Sequence, residues 1–357
     1  MKAFKLAAPN HLIKLILISI GYLSLIIHPI LCIPIVWLYA SKSHYCVLNA
    51  ILTLSVSLAG ITATRQVFET RAPDDLVTYV LYSEMYPNLG VIDFLLETRL
   101  EPLFYLPYRM FGPFEPLSLL FLNSFMATIL YLIAICVLAD KFRTSVTIAL
   151  IIAVTFFPFE IVSNTPRQLA AASLMFTLLG TRFGLVSLLM HKAAVLPYLL
   201  TTGRSAAWLI LSAVLVFLLY MSGFLEYYFF SRVTYFFIQA PSFSYLLIAM
   251  LIVSLFVLII DKKNKQFWFA IFAYTILCVY MSKFGPLGVR LSYLIYPLFI
   301  VQLTMTVWYL HKILSKKMIL VFTYMGGLTM FLYRIGGTGP HEPFTGIPFI
   351  EALFWGI

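Results

Sequence analysis

Long apolar runs alternate with short charged clusters along the whole chain. A run of roughly 18–20 apolar residues is long enough to cross a bilayer as a helix. The runs predict spans near 13–27, 30–40, 46–63, 116–139, 144–158, 168–181, 206–223, 244–260, 267–282, 290–310 and 318–335. The first two are short, and Pro29 and Pro34 make them one broken unit or two half-depth helices. Residues 183–203 predict a re-entrant-like hairpin of two short helices. Residues 64–115 break the pattern, with eight carboxylates, four arginines and several tyrosines. That segment is too long for a simple connector and too aromatic for a disordered linker. Short helices lying on or dipping into one membrane face are expected there.

Composition agrees with the pattern. The chain is 62% hydrophobic and 11% charged, where a soluble domain is about 25% charged. Backbone that faces lipid must be helical. The expected fold is an all-α polytopic membrane protein: one integral membrane domain over 1–357 with about 11–12 transmembrane helices, the hairpin 183–203 and the outer-face loop 64–115. Lys2, Lys5 and Lys14 precede the first apolar stretch without a small-residue cleavage site, so the first span is expected to be uncleaved.

Charge then sets an orientation. With the N-terminus in the cytoplasm, 14 of the 24 basic residues fall on that side. Among the 14 acids, only Asp140 and Asp261 join them. This is the positive-inside pattern. It accounts for the net charge of +10 without nucleic acid as a partner. The four cysteines are scattered singly, the six histidines lie far apart, and no metal-ligand spacing occurs. No cofactor and no metal are expected. The "GGTGPHEPFTG" near the C-terminus lacks the strand, helix and lysine of a phosphate-binding loop.

Several polar groups converge on the outer face in this topology. In a helix, Asp75, Tyr79 and Tyr82 share one side. Glu97, Arg99 and Glu101 precede Pro102 and Tyr105, and Pro102 suits the first position of a helix with Glu101 at its favourable N-terminal end. In "SNTPRQLAAASL", Pro166 suits the same position with Thr165 as N-cap. Arg167 is then unhelpful to the helix dipole unless an anion binds between its guanidinium and the free backbone N–H groups; the alternative is an interfacial anchor. His191 sits at the hairpin turn, where a packing role is the alternative. Arg290 and Tyr293 open a late span, where an interfacial charge in an aromatic belt is the alternative. "GFLEYYFFSRVTYFF" reads as an amphipathic interfacial segment.

Arginine recognises phosphate through charge-assisted, bidentate hydrogen bonds. Carboxylates and tyrosines suit sugars, and apolar helices suit a lipid tail. A polyprenyl-diphosphate-linked saccharide combines all three. Diphosphate is also a good leaving group, so glycosyl transfer from it needs mainly a base and cations.

Four features in order, "PDDLVTYVLY", "EPLFYL", "PRQLAAASL" followed by "HKAAVL", and "VRLSYLIY", resemble the EpsG/Wzy-type polysaccharide polymerases of bacterial envelopes. The resemblance covers roughly residues 60–310. The family's hairpin usually reads Phe-His-Ser, and this chain has Met190-His191-Lys192. The resemblance implies a metal-independent glycosyltransferase of the bacterial inner membrane, facing the periplasm or exterior. It would join undecaprenyl-diphosphate-linked oligosaccharide repeats, as in O-antigen and lipopolysaccharide biosynthesis, with a chain-length regulator protein as a partner.

On this reading Arg167, Arg290 and Arg99 hold the diphosphate. Glu101 or Asp75 is the base, with His191 as the alternative. Gln168, Tyr79 and Tyr105 position sugars. The rival readings are an O-antigen ligase or other lipid-linked glycosyltransferase, and a transporter or flippase of lipid-linked saccharides. The latter would favour charges at mid-membrane and a two-half repeat.

Overall fold

The computed structural model describes residues 9–27, 29–40, 44–68, 76–98, 101–179, 181–191, 194, 198, 245–282 and 287–336. Among them the secondary structure is helical, without a strand. The helices are α1 (Pro9–Ile27), α2 (Pro29–Ala40), α3 (His44–Phe68), α4 (Leu76–Met85), α5 (Val91–Glu97) and α6 (Pro102–Phe111). They continue as α7 (Pro116–Lys141), α8 (Val146–Thr155), α9 (Phe159–Asn164) and α10 (Pro166–Thr177). After a 3-10 segment, Arg182–Leu189, come α11 (Tyr245–Ile260), α12 (Lys265–Met281), α13 (Leu287–Tyr293), α14 (Tyr296–Tyr309) and α15 (Lys316–Gly336).

Proline marks the breaks. Pro29 opens α2 one residue after α1 ends, and Pro34 lies within α2. The late span expected over 290–310 is two pieces, because Pro297 stands in the first turn of α14. Its ring cannot take the intrahelical hydrogen bond that a continuous helix through Tyr293 would need. The short helices α4, α5 and α6 fill much of 64–115, joined by the 3-10 turn Tyr86–Asn88.

Among the described residues, two helices are long and apolar enough to cross a membrane: the Cys46–Ala63 stretch of α3, and α7. A third crossing results if α11 and α12, bent by 100° at their junction, act as one span. The Asp261 carboxylate fastens that corner, accepting from Asn264 Nδ2 and Trp268 Nε1, each at 2.8 Å. The runs expected to span at 144–158 and 168–181 give the shorter α8 and α10, at about 15 and 18 Å by the helical rise.

The core forms around α7, which packs on α3, α10, α8 and α14. Small residues on α7 and α10, among them Ala127, Ala134, Ala170, Ala171 and Ala172, are fully buried. Such positions let helix backbones approach closely. α8 is apolar on every side and buried along nearly its whole length, as expected of an encased helix. α15 covers it, and a Cβ at Gly327 would stand 2.8 Å from Ile151 Cγ2 and Thr155 Oγ1.

The closest backbone approach is at Gly288 in α13. A Cβ there would collide with the Cys278 carbonyl oxygen of α12 and the Ser282 amide nitrogen just after it. Gly288→Ala must push α13 off α12, at about 1–3 kcal/mol for an overpacked contact. A lowered thermal midpoint in detergent is the expected reading; an unchanged midpoint would mean that α13 sits looser than this.

The bundle has two ends. Tyr108 of α6 donates to Asn123 Oδ1 near the start of α7, and Tyr296 Oη donates to the Phe156 carbonyl after α8. At the other end, Lys141 of α7 donates to the Leu179 carbonyl beyond α10 at 3.2 Å. Arg167, opening α10, therefore belongs to the first end.

Candidate active site

Two proline-opened helices meet at that first end. α6 begins with Pro102 at N1 and Glu101 at its N-cap position. α10 begins with Pro166 and Thr165 in the same relation. Neither N-cap side chain bonds its own helix. The Thr165 hydroxyl donates back to the Ile161 carbonyl at 3.2 Å, so the side-chain cap expected of Thr165 is not formed. Glu101 instead turns to the other helix. Its Oε2 accepts from Arg167 Nη1 at 3.3 Å, across 66 residues of sequence. The anion beside the α10 N-terminus is thus the chain's own carboxylate.

The two partners differ in exposure. The Glu101 side chain is 10% exposed and that of Arg167 is 29%. The carboxylate lies under the guanidinium, which keeps an outward face. The Tyr105 ring supports the guanidinium from one side, its centroid 5.4 Å from Arg167 Cζ. Tyr79 also lies close to the Arg167 guanidinium. Burial works against the Arg167 charge, and Tyr79, Tyr105 and Glu101 more than offset it, holding the guanidinium above its ordinary range. It stays cationic throughout.

The tyrosines form a connected cluster. Tyr105 meets Tyr82, Tyr86 and Tyr108 edge-on, with centroids 5.4 to 5.6 Å apart. Tyr82 stacks on Tyr86 at 4.9 Å, and Tyr79 meets Tyr108 edge-on at 6.4 Å. Edge-to-face pairs at these separations are favourable beyond the area they bury. Burial pushes the Tyr105 and Tyr108 phenols far above their usual range, so both remain neutral. Arg109, one turn after Tyr105 in α6, ties α5 in place through the Gly90 carbonyl and the Phe94 ring.

Of the residues singled out from the sequence, Glu101, Arg167, Tyr79 and Tyr105 come together. Tyr79 and Tyr105 are buried. Their position makes them supports of the guanidinium; Tyr82, half-buried, is the cluster member nearer solvent. Gln168 follows Arg167, and its Oε1 is buried without a hydrogen-bond partner. His191 follows the 3-10 segment Arg182–Leu189, which touches both α10 and α6. Arg290 is exposed on α13, which touches α10. Asp75 and Arg99 lie outside the described residues, as do most of the predicted hairpin after His191 and the segment around Glu226.

Sequence reasoning missed Tyr86, Tyr108 and Asn123. The signal was present: Tyr79, Tyr82 and Tyr86 recur at three and four residues, as do Tyr105 and Tyr108 at three. Asn123 is an amide in an otherwise apolar run, and such residues are retained where a partner awaits. Among the described residues no group of His, Cys, Asp and Glu could hold a metal ion.

This arrangement can bind an anion at the exposed side of Arg167 and offer a carboxylate directly beneath it. Comparison with known proteins returns no matching family model, no matching curated sequence and no matching solved structure.

Proposed function

We propose that this protein is a membrane glycosyl polymerase that joins undecaprenyl-diphosphate-linked oligosaccharide repeats into O-antigen or a related surface polysaccharide. The observation that carries the reading is the Arg167–Glu101 pair: a permanently charged, outward-facing guanidinium over a carboxylate, at one end of an apolar bundle. The resemblance of "PRQLAAASL" and "EPLFYL" to the polymerase motifs falls on the same two helices.

The chemistry follows from the pair. A lipid-linked diphosphate competes with Glu101 for Arg167, since phosphate also takes charge-assisted hydrogen bonds from a guanidinium. Its arrival frees the carboxylate beneath. The acceptor sugar hydroxyl attacks the anomeric carbon of the growing chain, forming a C–O bond. The bond from that carbon to the diphosphate breaks, and the diphosphate leaves with the electron pair. Arg167, helped by Arg290, stabilises the departing charge. Glu101 takes the hydroxyl proton, with His191 as the alternative base. Tyr79 and Tyr105 are positioning residues for Arg167.

The layer of short helices also supports a membrane-surface site. Val77, Leu81, Ile92, Leu96, Met110 and Phe111 are all more than half exposed, beside exposed Glu84, Asp93 and Glu97. Such a mixed surface suits the headgroup–acyl boundary, where apolar side chains dip and charged ones stay wet. On this reading the chain has 11–12 spans in the bacterial inner membrane, the Arg167 end faces the periplasm or exterior, and a chain-length regulator is a partner.

Deleting the gene and resolving surface polysaccharide on a gel tests the class of reaction. Attached single repeats without a ladder are expected. Loss of all attached repeats would point to a ligase or an earlier step, and accumulation of lipid-linked repeats on the cytoplasmic face to a flippase.

A further inference from the structure

The end of the bundle opposite Arg167 carries a cavity of about 280 Å³. It lies where the α7–α8 turn, the α11–α12 corner and the C-terminal end of α14 meet. Lys141, Arg143 and Lys263 line it, and among the described residues Asp261 is the one acid in its wall. That carboxylate is already engaged by Asn264 and Trp268. The wall therefore carries an excess of positive charge.

One side of the cavity is rigidly built. Trp308 stacks on His311 with ring centroids 5.3 Å apart, and His311 Nδ1 lies 2.6 Å from the Trp308 carbonyl oxygen. The Lys316 ammonium sits 5.4 Å from the centroid of the Trp308 ring, adding a cation beside the aromatic wall.

Arg143 gives the second, independent observation. Its φ is 55°, in the left-handed region. It follows the last turn of α7, where its N–H bonds the Asp140 carbonyl and that of Thr144 bonds the Ala139 carbonyl at 2.8 Å. Helices that end this way usually place glycine there, because a side chain makes the conformation costly. Here a guanidinium is kept at that cost, at the cavity edge. The bias of basic residues towards one membrane face explains their presence in loops; it does not require a cavity, a fixed aromatic wall or a side chain in this backbone position.

Ile260 and Met305 complete the lining, and α11 next to Ile260 exposes Phe256 and Ile259. Cationic groups thus sit beside an apolar face that a tail could follow. Basic pockets between helices at a membrane face take phosphate-bearing headgroups. We propose that this cavity binds the phosphate group of an anionic ligand, supplied by an anionic phospholipid headgroup or by soluble phosphate. The proposal does not depend on glycosyl transfer at the other end.

The test uses full-length protein, purified and delipidated in detergent, with retained lipid read by native mass spectrometry. Phosphatidylglycerol should be retained at least fivefold over phosphatidylcholine, and millimolar inorganic phosphate should displace it. Arg143→Gly suits the left-handed backbone, so its thermal midpoint without lipid should equal or exceed that of the parent. Its lipid preference should nevertheless fall at least threefold, and further with Lys263→Gln. If inorganic phosphate binds and phosphatidylglycerol does not, the site serves a soluble phosphate. Equal retention of both lipids with no phosphate binding overturns the proposal. So does an undiminished preference in Arg143→Gly and Lys263→Gln.

Discussion

Arg167→Ala is expected to reduce surface polysaccharide from a ladder of repeats to single units, and Glu101→Gln to do nearly the same. Each change removes one half of a pair that lies partly out of water. Without Arg167, Glu101 keeps its burial and loses its cation; a charged hydrogen bond of this kind contributes about 1.5–3 kcal/mol. Some loss of stability follows from either substitution, so lost activity alone would not separate chemistry from folding. The double variant Glu101→Leu/Arg167→Met separates them. Replacing an internal ion pair by apolar residues of similar volume is often neutral or stabilising. The double variant should therefore recover the thermal midpoint of the parent. A structural pair predicts that long chains return with it. A pair that handles diphosphate and a proton predicts that they do not, with turnover down by about 10²–10⁴ for the lost acid–base role alone. Normal ladders from a well-folded double variant would remove Glu101 and Arg167 from the chemistry.

The second large effect is expected at Tyr105. Its ring contacts Phe104, Tyr82, Tyr86 and Tyr108, and it carries the Arg167 guanidinium on its face. Tyr105→Ala opens a void at the centre of this cluster, and large aromatic-to-alanine changes in cores cost about 3–5 kcal/mol. It also lets Arg167 tilt away from Glu101. Tyr105→Phe keeps the ring and every one of these ring contacts, so it should behave close to the parent. The Cys32, Cys46 and Cys278 thiols are fully buried. Their reaction with a thiol dye on heating therefore reports unfolding without an added label. Equal damage from both substitutions would show that the hydroxyl, and not the ring, holds the site together.

Much of the local design at this site is legible in the chain. Pro102 and Pro166 open helices where the sequence places them, because proline fixes φ and lacks only an N–H that a first turn leaves unused. The helical reading of 64–115 rested on aromatic content and length, and α4, α5 and α6 lie there. Thr165 stands at the N-cap position before Pro166 as expected, but its hydroxyl turns to the Ile161 carbonyl instead of capping the helix. Tyr79 and Tyr105 read as sugar-positioning residues, and a sequence does not tell which face of a short amphipathic helix finds a neighbour. Here the aromatic face packs inward and the aliphatic face stays outside, the reverse of a soluble layer. The unbroken span expected over 290–310 failed at Pro297.

The sequence by itself determined the helical character of this protein, its long apolar segments and the helix starts at Pro102 and Pro166. Those properties follow from hydropathy, backbone chemistry and solvation, which act locally. Only the tertiary structure decided that Glu101 and Arg167 pair with each other, that a connected cluster of tyrosines packs beside them through Tyr105, and that Arg143 ends α7 beside a basic cavity. Such facts depend on which helices pack together. Partners 66 residues apart meet because α6 and α10 are brought to the same end of α7, and no local pattern encodes that encounter.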